Sequence, residues 1–206
     1  MSHAGASGPM PAGPGERPWR LFVAVPFGDE LRAQLAQAVE GWRRDPRAER
    51  MSWTDPAGWH VTLAFLGATE PARVPQIAPA LARATDGLPP FTLATGGIGG
   101  FPSARRARVA WYGVADPQGR LRSLAAAVHR ELRLDAGARF RGHLTLARAR
   151  GGRFAEVDLG GWLRPEDAPT GDLAVERIIL YRSHMGRGPA RYEALAEVPL
   201  GVAIHA

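Results

Sequence analysis

Two short stretches of this 206-residue chain carry the residue types of acid–base chemistry at matched spacing. His60-Val61-Thr62-Leu63-Ala64-Phe65 returns 83 residues later as His143-Leu144-Thr145-Leu146-Ala147-Arg148, so the pattern histidine, apolar residue, threonine, leucine, alanine is met in full twice. On a β-strand successive side chains alternate between faces. His60 and Thr62 therefore share one face while Val61 and Leu63 take the other, and His143 and Thr145 part in the same way from Leu144 and Leu146. One His-x-Thr on a strand is commonplace; two in near-identical pentapeptides are expected to be functional. An imidazole titrates near pH 6.5, so one of a facing pair can be neutral while its twin is protonated, giving a general base and a general acid in one cleft. In-line displacement at phosphorus asks for that arrangement, and hydroxyls beside the rings suit the non-bridging oxygens. Metal ligation is the rival use of two histidines, but it normally needs a third ligand, often a carboxylate. Threonine stands beside each histidine instead, and no metal or other cofactor is expected.

Arg148 and Phe65 fill the same slot of the two copies, five residues after each histidine. Odd spacing sets them off the catalytic face of a regular strand, so reaching a ligand requires a strand end or a bulge. Given one, Arg148 would meet phosphate and Phe65 a base or ribose; without one, Phe65 is a core residue. The remaining histidines (His3, His129, His184 and His205) are expected to be incidental.

The elements that must position these residues read as mixed. RLFVAVP from Arg20 is a buried strand by length and β-branched content. In DELRAQLAQAVEGWRR, Leu31, Leu35, Val39 and Trp42 recur at helical spacing. Met51–Trp53 and Trp59–Gly67 are strands, and a second helix covers about 72–84 despite Pro75 and Pro79. FTLATGGIG and ARVAWYGV are strands joined by GFPSARR, with the glycine cluster between them. QGRLRSLAAAVHREL is a third helix with Leu121, Leu124, Val128 and Leu132 on one stripe. RGHLTLARAR follows, and LAVERIILYRS with RYEALAEVPL makes a closing strand pair. About three helices and seven or eight strands, several adjoining without a helix between, predict antiparallel pairing and an α+β fold. No strand is followed by a G-x-G-x-x-G, and P-loop and His-Glu-x-x-His motifs are absent.

Composition narrows the class. Apolar residues make up 45% of the chain, as in a globular protein, and no apolar run approaches the ~20 residues that span a bilayer. Residues 1–18 read as a disordered Gly/Pro/Ala tail without a secretory apolar core, ahead of one domain over 19–202. Absence of cysteine excludes disulfides and thiolate chemistry. A cytoplasmic monomer with no membrane association is expected. The net charge is +6, every Lys/Arg position is arginine, and the pI is near 11, so a polyanionic partner is expected. Arg105 and Arg106, in the loop after Phe101-Pro102, are placed to steer such a partner, although a solvated loop is their default.

With both motifs in hand, the chain resembles the 2H phosphoesterase superfamily, specifically the bacterial RNA 2',3'-cyclic phosphodiesterases also called 2'-5' RNA ligases. The resemblance spans Arg20 to Leu200 and includes RLFVAVP, WHVTLAFLG, GGIGGFPSARRARVAW, FRGHLTLAR and ILYRS…G…RYEAL. It implies a bilobal α+β fold, two pseudo-symmetric lobes of antiparallel sheet flanked by helices, with one motif from each lobe at a central cleft. It implies metal-independent hydrolysis of 2',3'-cyclic phosphate RNA ends to 2'-phosphomonoesters, with reversible 2'-5' ligation in related proteins. Carried to this chain, it makes His60 the proton donor to the departing 3'-oxygen, His143 the proton acceptor from water, and Thr62 and Thr145 the grip on phosphate. A non-catalytic RNA-end-binding module and a phosphodiesterase for another small 2'-5' or cyclic nucleotide are the alternatives.

Overall fold

The computed structural model describes residues 17–135, 140–152, 154–184, 186 and 190–201. The expected tail, apart from residues 17 and 18, lies outside them, as do His3 and His205.

Strand β1 (Trp19–Pro26) is buried through its middle and leads into helix α1 (Asp29–Trp42), whose buried residues are Leu31, Leu35, Val39 and Trp42. After the short strand β2 (Met51–Trp53) comes β3 (His60–Thr69), then helix α2 (Val74–Thr85). Pro75 sits in the first turn of α2, where a missing N–H costs nothing. Strands β4 (Phe91–Phe101) and β5 (Val109–Val114) precede helix α3 (Arg120–Glu131) and strand β6 (His143–Ala149). The chain closes with β7 (Gly171–Val175), β8 (Arg177–His184) and β9 (Arg191–Pro199).

The nine strands of the described residues join one sheet in the order β7-β4-β5-β6-β3-β1-β8-β9, with β2 alongside β6, and each pairing is antiparallel. At the centre, β3 and β6 touch through a single bridge, Val61 opposite Leu144. Antiparallel pairing about that bridge exchanges His60 with His143 and Thr62 with Thr145, which is a local two-fold axis. The strands then part, and β2 becomes the partner of β6, with Trp53 opposite Ala147. Two lobes of the fold class expected from sequence therefore meet at a narrow seam.

Three expectations change. LAVERIILYRS is two strands in different lobes: β7 pairs with β4, whereas β8 pairs with β1. The burial alternation that marks Leu173 and Val175 slips at Glu176-Arg177 before Ile178, and that slip is where the chain crosses. The cluster GGIGG lies inside β4, with a bulge between Thr95 and Ile98, not between strands. The indole of Trp111 fills the space a Cβ on Gly99 would need, 2.0 Å away. Among the described residues the strands number nine rather than seven or eight.

Val61, Leu144 and Leu146 belong to one continuous core that runs through both lobes. Helix α3 packs on β3, α2 on α3 and β9, and α1 on β7. Burying these apolar stripes leaves the opposite face of the central strands free to carry polar side chains. Among the described residues, no helix is long and apolar enough to cross a membrane.

Candidate active site

The first signature strand starts from a short 3-10 turn, Pro56–Gly58, whose leading Asp55 accepts the amide proton of Ala57 at 2.9 Å. Trp59, 3% exposed, anchors the start of the strand in the core. Its indole N–H donates to the Thr54 hydroxyl at 2.9 Å. That hydroxyl in turn lies 2.9 Å from the carbonyls of both Thr145 and Leu146, and the Thr54 amide donates to Leu146. Thr54 thus ties the residue before His60 to the strand that carries His143 and Thr145, at the seam where the strands share one bridge.

Each histidine is oriented alike. Nδ1 of His60 lies 2.6 Å from the Gly58 carbonyl, and Nδ1 of His143 lies 2.8 Å from the Arg141 carbonyl. A carbonyl only accepts, so each Nδ1 donates its proton and each Nε2 is left for a ligand. Their surroundings differ. The His60 ring is packed by Phe22, with centroids 4.7 Å apart, and meets Tyr192 edge-on at 5.1 Å. Gly58 makes room for that tyrosine: a Cβ there would lie 2.9 Å from its ring. His143 meets Phe101 edge-on at 5.0 Å, and the Arg141 guanidinium rests over Phe101 and Trp111.

Burial dominates the electrostatics of both rings. It pulls the His60 pKa down to about 4, partly opposed by the Gly58 carbonyl and reinforced by His143. His143 is also lowered, by burial first, with the Arg148 and Arg141 charges adding to it against the Arg141 carbonyl. Without an anion in the cleft both rings are therefore neutral at pH 7, His60 the more firmly.

Both signature strands contain a bulge at the same place. Against β1, Val23 faces Ala64 and Ala24 faces Thr62, so Leu63 is the extra residue; against β5, Ala110 faces Ala147 and Trp111 faces Thr145, so Leu146 is. In each strand the leucine and the alanine after it are both buried, and alternation resumes one residue late. Phe65 and Arg148 consequently return to the histidine face. Phe65 is 70% exposed and not part of the core. His60, Thr62, Phe65, His143, Thr145 and Arg148 all line one cavity of roughly 720 Å³, a size suited to a nucleotide.

Three further residues belong to this site and were not legible as such. Tyr192 and Thr54 line the cavity, as does Phe101. Tyr192 lies in β9, far along the chain from both motifs, and only the pairing of β8 and β9 beside β1 brings it to His60. His129 is not idle: its Nε2 lies 3.3 Å from the carbonyl of the bulged Leu63, linking α3 to that bulge. His184 pairs with Glu193 at 2.8 Å on the β8–β9 ribbon. Arg106 is bound to Glu156 at 2.7 Å, and neither it nor Arg105 lines the cavity. Among the described residues no three His, Asp or Glu side chains converge as metal ligands would.

The family model for LigT-like phosphoesterases matches residues 25–111. A curated relative in Aeropyrum pernix, an RNA 2',3'-cyclic phosphodiesterase, is 30% identical over 152 residues, which cover 72% of this chain and 85% of that protein. The chain belongs to the LigT-like phosphoesterases of the 2H superfamily. Another relative of the same name, from Geobacillus stearothermophilus, is 31% identical over 186 residues; the match takes in 87% of this chain but spans 56% of that protein's length. The crystal structure of E. coli LigT complexed with 3'-AMP superposes with a TM-score of 0.67 at 28% identity, over 90% of this chain and 99% of LigT. The curved antiparallel sheet with few helices is thus the LigT fold, and membership makes the chain a phosphoesterase.

Proposed function

We propose that the protein hydrolyses 2',3'-cyclic phosphate ends of RNA to 2'-phosphomonoesters by general acid–base catalysis at His60 and His143. The observation that carries this reading is the pair of rings, each held by Nδ1 to the carbonyl two residues before it, in one cavity with Thr62 and Thr145. His143 Nε2 accepts a proton from water as the water oxygen attacks phosphorus. The bond from phosphorus to the 3'-oxygen breaks in line, and His60 gives its Nε2 proton to that oxygen. The threonine hydroxyls donate to the non-bridging oxygens. The path as written needs no metal ion.

The donor role of His60 requires a counter-charge, because its free ring is the harder of the two to protonate. The substrate phosphate supplies one: a negative group beside both rings raises both pKa values, and of the singly protonated forms the productive one carries the proton on His60 and none on His143. With the 5'-hydroxyl of a second RNA in place of water, the same steps make a 2'-5' linkage. Names borne by the relatives, RNA 2',3'-cyclic phosphodiesterase, support the substrate class.

Turnover of a nucleoside 2',3'-cyclic phosphate in EDTA, with separation of 2'- and 3'-phosphate products, tests the proposal. Expected are a 2'-phosphate product and a loss of at least ~100-fold in kcat for each of His60→Ala and His143→Ala. Wild-type rates in either variant would refute the mechanism. Tight binding without product would instead favour a module that only holds RNA ends, and preference for a free 2'-5' dinucleotide would favour the small-nucleotide alternative.

A further inference from the structure

Beyond the cavity wall the same strands end in a ridge of arginine. Arg148 lines the cavity and faces Ser52 on β2 and Val109 on β5, both of which also line it. Arg150 lies two residues beyond Arg148 and Arg50 two before Ser52, and the chains stay paired there: the amide of Arg150 donates to the Arg50 carbonyl at 2.8 Å. Arg108 joins the group through its carbonyl, which accepts from the Ala149 amide at 2.9 Å. Arg106 completes it through Glu156, which it shares with Arg108. Arg50 reaches the same residue, donating to the Glu156 carbonyl at 3.0 Å. All five arginines are exposed, and Glu156 is the one carboxylate with which they form ion pairs among the described residues.

We infer that this ridge of Arg50, Arg106, Arg108, Arg148 and Arg150 carries the RNA strand that leads into the cavity, so that the enzyme acts on the ends of oligonucleotides in preference to mononucleotides. The inference rests on the proposed function above. If the terminal cyclic phosphate sits between the histidines, the rest of the strand must leave the cavity, with one negative charge on every nucleotide. A wall that continues as exposed guanidinium groups gives those charges their counterions along the way out. The existing contacts suit this role. Arg50 and Arg150 donate to backbone carbonyls, of Glu156 and Met51, which leaves their charge uncompensated while their stems are held in place. Such a surface reads phosphates and not bases, so it would grip strands of any sequence.

The test compares a cyclic mononucleotide, too short to reach the ridge beyond Arg148, with a hexanucleotide ending in a 2',3'-cyclic phosphate. Their kcat/KM values are measured from 50 to 300 mM salt for the wild type and for Arg50→Gln/Arg150→Gln. Expected is a higher kcat/KM for the hexanucleotide at low salt and a steeper fall with salt. The double variant is expected to flatten that slope by ~0.7 per arginine removed while turning over the mononucleotide at the wild-type rate. Equal salt slopes for both substrates, or an unchanged hexanucleotide slope in the double variant, would overturn the ridge. If neither substrate were turned over, the proposed function would fail separately. The ridge would then be judged by the same slopes for binding a labelled hexanucleotide ending in a 2'-phosphate. Displacement of that RNA by polyglutamate as readily as by unlabelled RNA of equal charge would assign the surface to an acidic protein and overturn the inference.

Discussion

His60 and His143 carry the same hydrogen-bonded ring in different surroundings, and that difference sets the pH response. In the proposed mechanism the productive enzyme holds one proton on the pair. Below the His60 value of about 4 both rings are charged and no base remains. Above the His143 value, which burial holds below 6.5, both are neutral and no acid remains. The profile of kcat/KM, which reports the free enzyme, is expected to be a bell with its maximum on the acid side of 6.5. The kcat profile should peak at higher pH, because bound phosphate raises both values. A kcat/KM plateau extending to pH 8 would contradict this. The same shifts act on folding: the native state resists protonating His60, so stability conferred by the neutral ring is complete above 6.5 and is lost as pH falls toward 4. His60→Asn is expected to be less sensitive to acid than the wild type in that window, read from denaturation midpoints. At Thr54, the isosteric Thr54→Val removes the hydroxyl that joins Trp59 to Thr145 and Leu146 and is expected to lower kcat about tenfold or more with little change in KM. Thr54→Ser should restore it. Wild-type kcat in the valine variant would show that the seam holds its geometry without this tie.

At the scale of elements, the two paired bulges decide which side chains reach the cavity. The sequence showed the histidine and threonine positions because strand alternation alone puts them on one face. It singled out Phe65 and Arg148 by their shared slot but made their reach conditional on a strand end or a bulge, since the extra residue in each strand is defined against β1 or β5, and no local pattern reports a partner strand's register. Tyr192 was hidden for a similar reason, being brought to His60 by strand order. By contrast the helix stripes were plain: Leu31, Leu35, Val39 and Trp42 are all buried, and of the α3 stripe only Leu132 falls past the helix end, half-buried. The seam itself rests on Val61 and Leu144, both fully buried. Leu144→Ala is expected to destabilise the protein by about 2–5 kcal/mol in chemical denaturation. A cost below about 1 kcal/mol would mean that the seam repacks freely around the lost side chain.

At the scale of the molecule, the lobes are not successive halves of the chain. One lobe takes β1 and β3 from the start and β8 and β9 from the end, while the other is built from β4 through β7 between them, with β2 from the start alongside β6. The repeat in the sequence suggested two lobes, and two exist, but reading LAVERIILYRS as one strand concealed the crossing at Glu176. Because the first lobe is complete only when the last strands arrive, and one core spans both, unfolding is expected to be a single transition. Tryptophan fluorescence and far-ultraviolet circular dichroism should give coincident curves; two separated midpoints would show lobes that fold alone.

The shared slot of Phe65 and Arg148 has one more consequence. With the donor fixed at His60, as proposed, a five-membered cyclic diester has two ways to lie across a cleft whose halves otherwise match, one with the 3'-oxygen and one with the 2'-oxygen beside that donor. An aromatic ring in one half and a cation in the other are expected to make those two poses unequal in energy, so that the choice of bond to break would depend on groups outside the acid–base pair. Exchanging the occupants, Phe65→Arg with Arg148→Phe, is expected to change the ratio of 2'- to 3'-phosphate products more than the overall rate. Regiochemistry would then be the property that this duplicated scaffold acquired by ceasing to be symmetric.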